Sequence, residues 1–384
     1  MSKKSWIGIA ALVIVTVFII WFTNRPAVQT SKLPIKIGVS LPLTGDAAAW
    51  GKSQQNGYAL ALDQINAQGG INGRKLVLIY GDDRGLPKEG VSTLRKLIDI
   101  DKIEALTGVA NSSVALAFIP MIDKERIIFV SSGASSPKLT RASRYFFRTW
   151  PSDIAEALAM AKYAAEALKI KTVSCLYINN DYGIGLAEPF ARKFVELGGR
   201  VRGKELFEQN ATDIRAQLTK IKEQNPETIY LAGNPREMAR SILQARELAI
   251  PARFLSISTL NDAEVFSTIK IADIEGTVIT DASFDPNSDW PEAKKFIQDF
   301  RAKFQKEPGI LANTAYDALM ILAHAIGRAG TNAEALSSYL HSMKEYRGVA
   351  GMINFTEGGD VNRPIRISVA KNGKFEVLER DYRQ

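Results

Sequence analysis

Small hydroxyl side chains and glycines collect at the ends of two predicted strands. Gly108 and the run Asn111-Ser112-Ser113 follow the third strand of the chain, and the run Ser131-Ser132-Gly133-Ala134-Ser135-Ser136 follows the fourth. Both runs lead towards predicted helices, so backbone N–H groups and serine hydroxyls would converge at one edge of a sheet. Such donors suit a carboxylate or another small anion. Each serine alone could simply cap a helix, but their coincidence at several strand ends favours a shared binding site.

Two aromatic residues occupy comparable positions. Trp50 follows the first predicted strand, and Tyr182 follows the first strand of the second half of the chain, within Asp181-Tyr182-Gly183. Aromatic rings beside a few polar groups are typical of small-molecule sites. These two rings could therefore close over the apolar part of a ligand.

Groups that could carry out bond chemistry do not assemble into a site. The single cysteine, Cys175, stands in an apolar strand, which favours a packed core thiol over a nucleophile. His324 stands in an apolar helix, which favours a core or surface histidine, and His341 has no partner in the pattern. Asp82-Asp83 could be a carboxylate pair but is more typical of a turn or a helix cap. No phosphate-binding loop, zinc-protease or serine-hydrolase motif occurs. We therefore expect a protein that is not an enzyme and has no metal site or cofactor.

The composition bounds the class of protein. The chain has 384 residues, 46% hydrophobic and 23% charged, which suits two globular domains of ordinary size. Its net charge is +8, and Lys3, Lys4, Arg25 and Lys32 supply four of these charges before any acid appears. Further along the chain the basic residues are interspersed with acids, a pattern typical of a solvated surface. We therefore expect no nucleic-acid partner.

The N-terminus carries an apolar segment without charges. Two lysines precede residues 6–22, and an Arg-Pro pair follows them. The segment is longer than a usual signal-peptide core, and no small-x-small cleavage site follows it. An uncleaved signal anchor is therefore favoured over a cleaved signal peptide, and either would export the rest of the chain. We predict the anchor or signal peptide over residues 1–24 and a polar linker over 25–34.

After the linker, short apolar strands alternate with helices in two rounds. Because parallel strands are joined by right-handed helical crossovers, this pattern predicts α/β halves, each built on a doubly wound parallel sheet. Ligands bind outside the carboxyl ends of the strands in such sheets, so two facing halves form a cleft. The predicted strands are 35–41, 75–80, 103–107, 127–130, 172–178, 200–206, 228–231, 253–257, 276–280, 352–355, 365–370 and 375–378, and the predicted helices include 87–100, 115–122, 154–168, 184–197, 214–223, 237–248, 292–304, 312–328 and 333–343.

Five stretches of the chain carry a family resemblance. They are the opening IKIGVSLPLTGDAAAWGKSQQNGYALALDQINAQGGINGRKLVLIYGDD (35–83) and the segments 131–140, 147–153, 180–183 and 243–246. In these stretches the chain resembles the periplasmic branched-chain amino acid-binding proteins, the type I solute-binding components of ABC importers. The resemblance runs from about residue 35 to the end of the chain.

The resemblance implies a fold of two lobes. These are doubly wound, three-layer α/β lobes, the type I periplasmic binding protein fold, joined by crossovers and preceded here by the N-terminal transmembrane or signal helix. By analogy, lobe 1 comprises residues 35–152 and 283–360, and lobe 2 comprises 153–282 and 361–384. The lobes of this family close around a small ligand.

The resemblance also implies roles for single residues. Ser112 would hold the carboxylate of the ligand together with Gly133 and Ser135, whose backbone and hydroxyl complete the anion site. Trp50 and Tyr182 stand where the family has aromatic residues that line the pocket. The expected ligand-binding residues are Trp50, Ser112, Ser113, Gly133, Ala134, Ser135, Tyr182, Asn234 and Ser258.

Two departures from the family pattern bear on the ligand. Ser258 stands where leucine-type binders place an acidic residue for the substrate ammonium, and Asn234-Pro235 stands where they have an aromatic pair. A buried ammonium needs a negative partner. Asp262 or Asp281 could substitute for the missing acid. Otherwise the ligand is a carboxylate without an α-amino group, an aromatic acid or an amide.

The family's disulfide is absent as well, since its positions correspond to Gly85 and Asn111. The resemblance nevertheless implies an extracytoplasmic solute-binding protein that delivers a small amphipathic carboxylate to the permease subunits of an ABC importer. We expect a periplasmic monomer, tethered to the inner membrane through residues 6–22. A membrane-tethered sensor that uses the same cleft is the alternative, and it would bind a sensor partner instead of a permease.

Overall fold

The computed structural model describes residues 33–282, 285, 287–379 and 382. The predicted N-terminal segment 1–24 and most of the linker 25–34 lie outside these residues. Within them, no helix is both long enough and apolar enough to span a bilayer.

The strands are β1 Ile35–Leu41, β2 Leu76–Asp82, β3 Ala105–Gly108, β4 Phe129–Ser131, β5 Phe146–Arg148, β6 Thr172–Ile178, β7 Arg200–Phe207, β8 Thr228–Ala232, β9 Arg253–Ser256, β10 Val278–Asp281, β11 Tyr346–Gly348, β12 Gly351–Ile353, β13 Arg366–Lys371 and β14 Lys374–Glu379.

The helices alternate with the strands over most of the chain. They are α1 Ala48–Ala67, α2 Pro87–Asp99, α3 Ser112–Glu125, α4 Asp153–Lys162, α5 Asp181–Glu196, α6 Arg215–Gln224, α7 Pro235–Glu247, α8 Ala263–Phe266, α9 Pro291–Phe304, α10 Ala312–Ala329 and α11 Ala333–Ser342.

The first sheet has five parallel strands in the order β2-β1-β3-β4-β5. Helices cover both of its faces, which explains why its central strands are apolar runs without strict alternation. Strand β5 is not among the predicted strands, because its three residues are too few to show a pattern. Helices α10 and α11 return from far along the chain and share the core of this sheet.

The second sheet has seven strands in the order β14-β13-β10-β9-β8-β6-β7. Strands β6 to β10 are parallel, as predicted. Strands β13 and β14 are antiparallel, so the expectation of a wholly parallel sheet is wrong here. Asn372 and Gly373 both have positive φ angles and form the tight turn between these strands, and such a hairpin reverses the strand direction. Strands β11 and β12 form a separate hairpin.

Two helices begin earlier than the apolar pattern predicts. Helix α3 begins at Ser112 and α5 at Asp181, each three residues before the predicted start. Apolar periodicity begins where side chains pack, whereas the first turn depends on backbone geometry and caps. The Asn180 side chain caps α5 by accepting a hydrogen bond from the N–H of Tyr182 at 3.1 Å. The candidate residues Ser112, Ser113 and Tyr182 therefore lie in first turns of helices.

The division into two lobes, 35–152 with 283–360 and 153–282 with 361–384, stays a prediction.

Candidate functional site

A small cavity of about 20 Å³ lies where the carboxyl ends of strands from both sheets meet. A volume of this size holds about one water molecule. Trp50, Ala110, Trp150, Ile310 and Leu311 give it an apolar wall. The remaining lining residues are Gly133, Ser135, Tyr182, Ser258 and Thr259.

The loop after β4 is held against the start of α3 by serine hydroxyls. Ser112 Oγ accepts hydrogen bonds from the N–H groups of Ser135 (3.2 Å) and Ser136 (3.0 Å), and the Ser112 side chain is buried. Gly133 packs so closely that an added Cβ would lie 2.9 Å from the Ala110 Cα. These contacts place Gly133 and Ser135 on the cavity wall, beside the N-terminus of α3. The positive end of that helix favours an anion there.

The two predicted aromatic residues meet across the cavity. The rings of Trp50 and Tyr182 are 6.0 Å apart and almost perpendicular, an edge-to-face pair. The Tyr182 hydroxyl is also 2.9 Å from the Thr259 hydroxyl. Trp50 belongs to α1 beside the first sheet and Tyr182 to α5 beside the second, so the pair closes the cleft between them.

Four of the nine candidate residues do not line the cavity. Ser112 lies behind Ser135, and Ala134 is buried with its N–H donating to Ser131 Oγ at 3.1 Å. Ser113 Oγ donates to Asp181 Oδ2 at 2.8 Å, which links the first turns of α3 and α5. Asn234 is fully buried directly before α7. Their assignment as ligand-binding residues remains a prediction.

Ser258 lines the cavity, but the two acids suggested as its substitutes have other partners. Asp262 accepts a hydrogen bond from the Glu264 N–H at 2.8 Å and caps the short helix α8. Asp281 accepts a hydrogen bond from Arg366 at 2.5 Å. Neither Asp262 nor Asp281 lines the cavity.

Sequence reasoning missed two buried carboxyl groups beside the cavity. Asp153 and Glu156 lie in the first turn of α4 and are 1% and 3% exposed. Burial raises the pKa of Asp153 to about 7, against the opposing effects of the Ser135 hydroxyl and of Arg148. Burial, followed by the charges of Asp153 and Asp281, raises the pKa of Glu156 well above its usual value. In the sequence, acids in a first helical turn only indicate where a helix starts.

The other residues considered for chemistry have structural roles. Cys175 is buried in β6, where burial raises the pKa of its thiol to about 12. His324 Nε2 is 2.8 Å from the Tyr339 hydroxyl. Gly85 and Asn111, the positions of the family's disulfide, are neighbours, since a Cβ on Gly85 would lie 3.0 Å from Asn111 Oδ1. The described residues include no group of three or more metal-ligating side chains that could hold an ion.

The chain matches the model of one known family over most of its length. The model described as "Periplasmic binding protein" matches residues 34–374. The chain belongs to the periplasmic binding protein family. Membership implies an extracytoplasmic location.

Individual relatives agree with this membership. The chain is 32% identical over 353 residues to Leu/Ile/Val-binding protein homolog 3 of Brucella melitensis biotype 1, covering 90% of this chain and 94% of that protein. Its structure resembles that of a leucine binding protein from Thermotoga maritima, with a TM-score of 0.83, 29% identity and coverage of 89% and 97% of the two chains. It also resembles a branched-chain amino acid transporter substrate binding protein from Streptococcus pneumoniae in complex with isoleucine, with a TM-score of 0.82, 27% identity and coverage of 90% and 99%.

These similarities confirm the type I periplasmic binding protein fold. The family and the relatives are solute-binding proteins and not enzymes, as the sequence pattern predicted.

Proposed function

We propose that this periplasmic binding protein is the solute-binding component of an ABC importer and takes a small amphipathic carboxylate. The ligand class comprises branched-chain and other amino acids, des-amino and aromatic acids, and amides. The observation that carries the proposal is the cavity between the two sheets, apolar on the side of Trp50, Trp150 and Leu311 and polar at Ser135. Such a wall accepts an apolar body and orients it through one anionic end.

The carboxylate end of the ligand binds at the N-terminus of α3. Ser135 lines the cavity there, and Ser112 fixes the position of the loop that carries Ser135. The first N–H groups of α3 have no partner within the helix and add to the positive end of its dipole. Ser112, Gly133 and Ser135 thus form the anion subsite.

Ligand binding stabilises a closed arrangement of two lobes, 35–152 with 283–360 and 153–282 with 361–384. Asp181 receives hydrogen bonds from Ser113 and from Lys138 Nζ, both at 2.8 Å. Arg240 Nη1 donates to Asp46 Oδ2 at 3.0 Å, and Gln209 Nε2 donates to the Gly85 carbonyl at 3.0 Å. A ligand that contacts both lobes shifts the equilibrium towards the state in which these bonds exist.

The importer's permease subunits are the proposed partner of the closed monomer. Residues 6–22 would tether the protein to the inner membrane, because they form a charge-free segment close to the length that spans a bilayer. The same tether supports the second candidate, a sensor that uses this cleft and binds a sensor partner instead of a permease.

A thermal-shift screen of the purified full-length chain tests the function. The panel contains the amino acids, aliphatic and aromatic carboxylates and short amides. A ligand at 100 times its dissociation constant should stabilise the protein by about 2.7 kcal/mol. A shift that the Ser135→Ala variant loses supports the anion subsite. The absence of any shift across the panel would contradict the proposed ligand class.

A further inference from the structure

A second cavity, of about 330 Å³, lies outside the cleft. Three parts of the chain form it: the segment between β10 and α9, the turn between β11 and β12, and the start of β13 with the residues before it. No residue that the structure describes lines both this cavity and the one in the cleft. Its volume falls at the small end of the range of small-molecule sites.

Arg363 lines this cavity with a buried and poorly compensated charge. Its side chain is 4% exposed, and both terminal nitrogens are buried without a hydrogen-bond partner in the described part of the chain. Asp317 Oδ2 lies 3.6 Å from Arg363 Nη2, which is too far for a hydrogen bond. Both oxygens of Asp317 already accept the Val349 N–H, at 2.9 and 3.1 Å.

Such a guanidinium is expensive to bury. Its N–H groups can only donate hydrogen bonds, and away from water they need acceptors. Burial lowers the pKa of Arg363, against the opposing charge of Asp317, because the protonated form has lost its hydration. The missing component is therefore a group that brings several acceptors and a negative charge.

The other charged residues that line the cavity have partners of their own. Arg366 donates to Asp281 Oδ2 at 2.5 Å, and the two charges of this buried pair offset each other. Asp285 accepts a hydrogen bond from the Asn287 N–H at 2.9 Å. The negative charge of Asp285 opposes an anion in the cavity, so its removal should strengthen anion binding.

The rest of the wall is largely apolar. The Trp290 ring is held in place because its Nε1 donates to the Gly348 carbonyl at 2.7 Å. Val349, Ala350 and Pro364 complete this side of the wall. Apolar surroundings lower the local dielectric, so an ionic contact there is stronger than in water.

We propose that this cavity is a second binding site, which takes a small oxyanion, such as a carboxylate or sulfate, through Arg363. The guanidinium reaches the anion by turning away from Asp317, to which its terminal nitrogens are not hydrogen-bonded. An oxyanion offers two acceptors at the spacing of the paired N–H groups of arginine. The site goes beyond the solute-binding function, because it lies apart from the cleft.

Crystals of the full-length chain soaked in sodium selenate locate the anion, since selenium gives an anomalous diffraction signal. We expect an anomalous peak within hydrogen-bond distance of the Arg363 guanidinium. Peaks at other positions alone would overturn the proposal.

Isothermal titration of the full-length chain with sodium sulfate, at constant ionic strength, tests the site in solution. Arg363→Met should weaken sulfate binding about 10-fold or more, the effect of losing charged hydrogen bonds. Asp285→Asn should strengthen it about two- to fivefold, because one negative charge leaves the cavity. The control Arg301→Met removes an exposed arginine that pairs with Glu307 and should leave sulfate affinity unchanged.

The opposite effects of the two cavity variants separate a binding role from a structural one, since a general loss of folding cannot strengthen binding. If Arg363→Met does not fold, the selenate position and Asp285→Asn still decide. A selenate peak without sulfate binding in solution would show an adventitious ion only and overturn the site. Equal sulfate affinity of Arg363→Met and the unmodified protein would overturn it as well. Either result would leave the solute-binding function intact, because the thermal-shift screen tests that function at the cleft.

Discussion

At the scale of single residues, Ser112 connects two strand ends. Its hydroxyl accepts the N–H groups of Ser135 and Ser136, so one buried oxygen fixes the loop after β4 relative to α3. The sequence predicted that these serines converge, because the carboxyl ends of neighbouring parallel strands share an edge. It assigned Ser112 directly to the ligand, whereas the structure places Ser112 behind the cavity wall.

The Ser112→Ala variant should weaken carboxylate binding and lower the free energy of unfolding. The substitution leaves two buried N–H groups without their acceptor, at a cost of about 1–3 kcal/mol. Urea denaturation and titration with a ligand found in the screen measure the two effects.

Ser113→Ala is the matched control for Ser112→Ala. It removes a neighbouring hydroxyl that contacts Asp181 and not the loop. Equal stability of Ser112→Ala and Ser113→Ala would contradict the role given to Ser112.

At the scale of elements, the close contact of α1 with α10 positions Trp50. A Cβ on Gly57 would lie 2.0 Å from the Ala312 carbonyl oxygen, so these helices approach as closely as glycine permits. Helix α1 carries Trp50, and Leu311 directly precedes α10. The spacing of the two helices therefore sets the width of the apolar wall of the cavity.

Gly57→Ala should destabilise the protein by about 1–3 kcal/mol, because the methyl group forces the two helix backbones apart. It should also weaken ligand binding through Trp50. Thermal unfolding and titration of the variant measure these changes.

Gly327→Ala, near the end of α10, provides the comparison. The nearest atom to its added Cβ is 3.7 Å away, so it should be neutral or stabilising, as is usual when alanine replaces a helical glycine. A larger loss of stability in Gly327→Ala than in Gly57→Ala would refute the argument from close approach.

At the scale of the whole molecule, Asp181 connects the two sides of the cleft. Asp181 is bound by Ser113 and Lys138, which lie on the side of the first sheet. Although burial opposes it, the hydrogen bonds from Lys138 and Ser113 lower the pKa of Asp181. The aspartate is therefore ionised at neutral pH.

Asp181→Ala should reduce ligand affinity about two- to fivefold, the effect of a partly exposed ion pair. Small-angle scattering of the ligand-free variant should show a larger radius of gyration, because the open state gains population. Asp213→Ala removes an exposed carboxylate that pairs with Arg215 and should change neither property. An unchanged radius and affinity in Asp181→Ala would rule out this contact as a determinant of closure.

The stability of the ligand-free protein should fall as the pH rises from about 4 to about 8. Burial raises the pKa of Asp83, Asp262 and Asp317 from 3.8 to about 6, and that of Asp153 and Glu237 to about 7. A carboxyl group with a raised pKa binds its proton more tightly when folded. Its contribution is present below the unfolded-state pKa and is lost as the pH passes the folded-state value.

Urea denaturation between pH 4.5 and 8.5 measures this dependence, and Asp317→Asn should flatten part of it. A free energy of unfolding that rises across this interval would contradict the assignment.

The fold was largely predictable, and its exceptions have local causes. The central strands of both sheets were identified because buried parallel strands are continuous apolar runs. Strand β5 was too short to recognise, and the direction of β13 and β14 depends on a two-residue turn. Five of the expected ligand-binding residues line the cavity: Trp50, Gly133, Ser135, Tyr182 and Ser258.

The sequence by itself determined the family, the two α/β halves and the edge at which polar groups collect. These features follow from periodicity and from strand ends, which depend on residues close together in the chain. Only the tertiary structure decided which carboxyl groups lie beside the cavity and that Ile310 and Leu311 complete its wall. Burial is the physical reason: the environment of Asp153 and Glu156 is produced by Tyr182, Ser258 and Arg148, which different elements bring together.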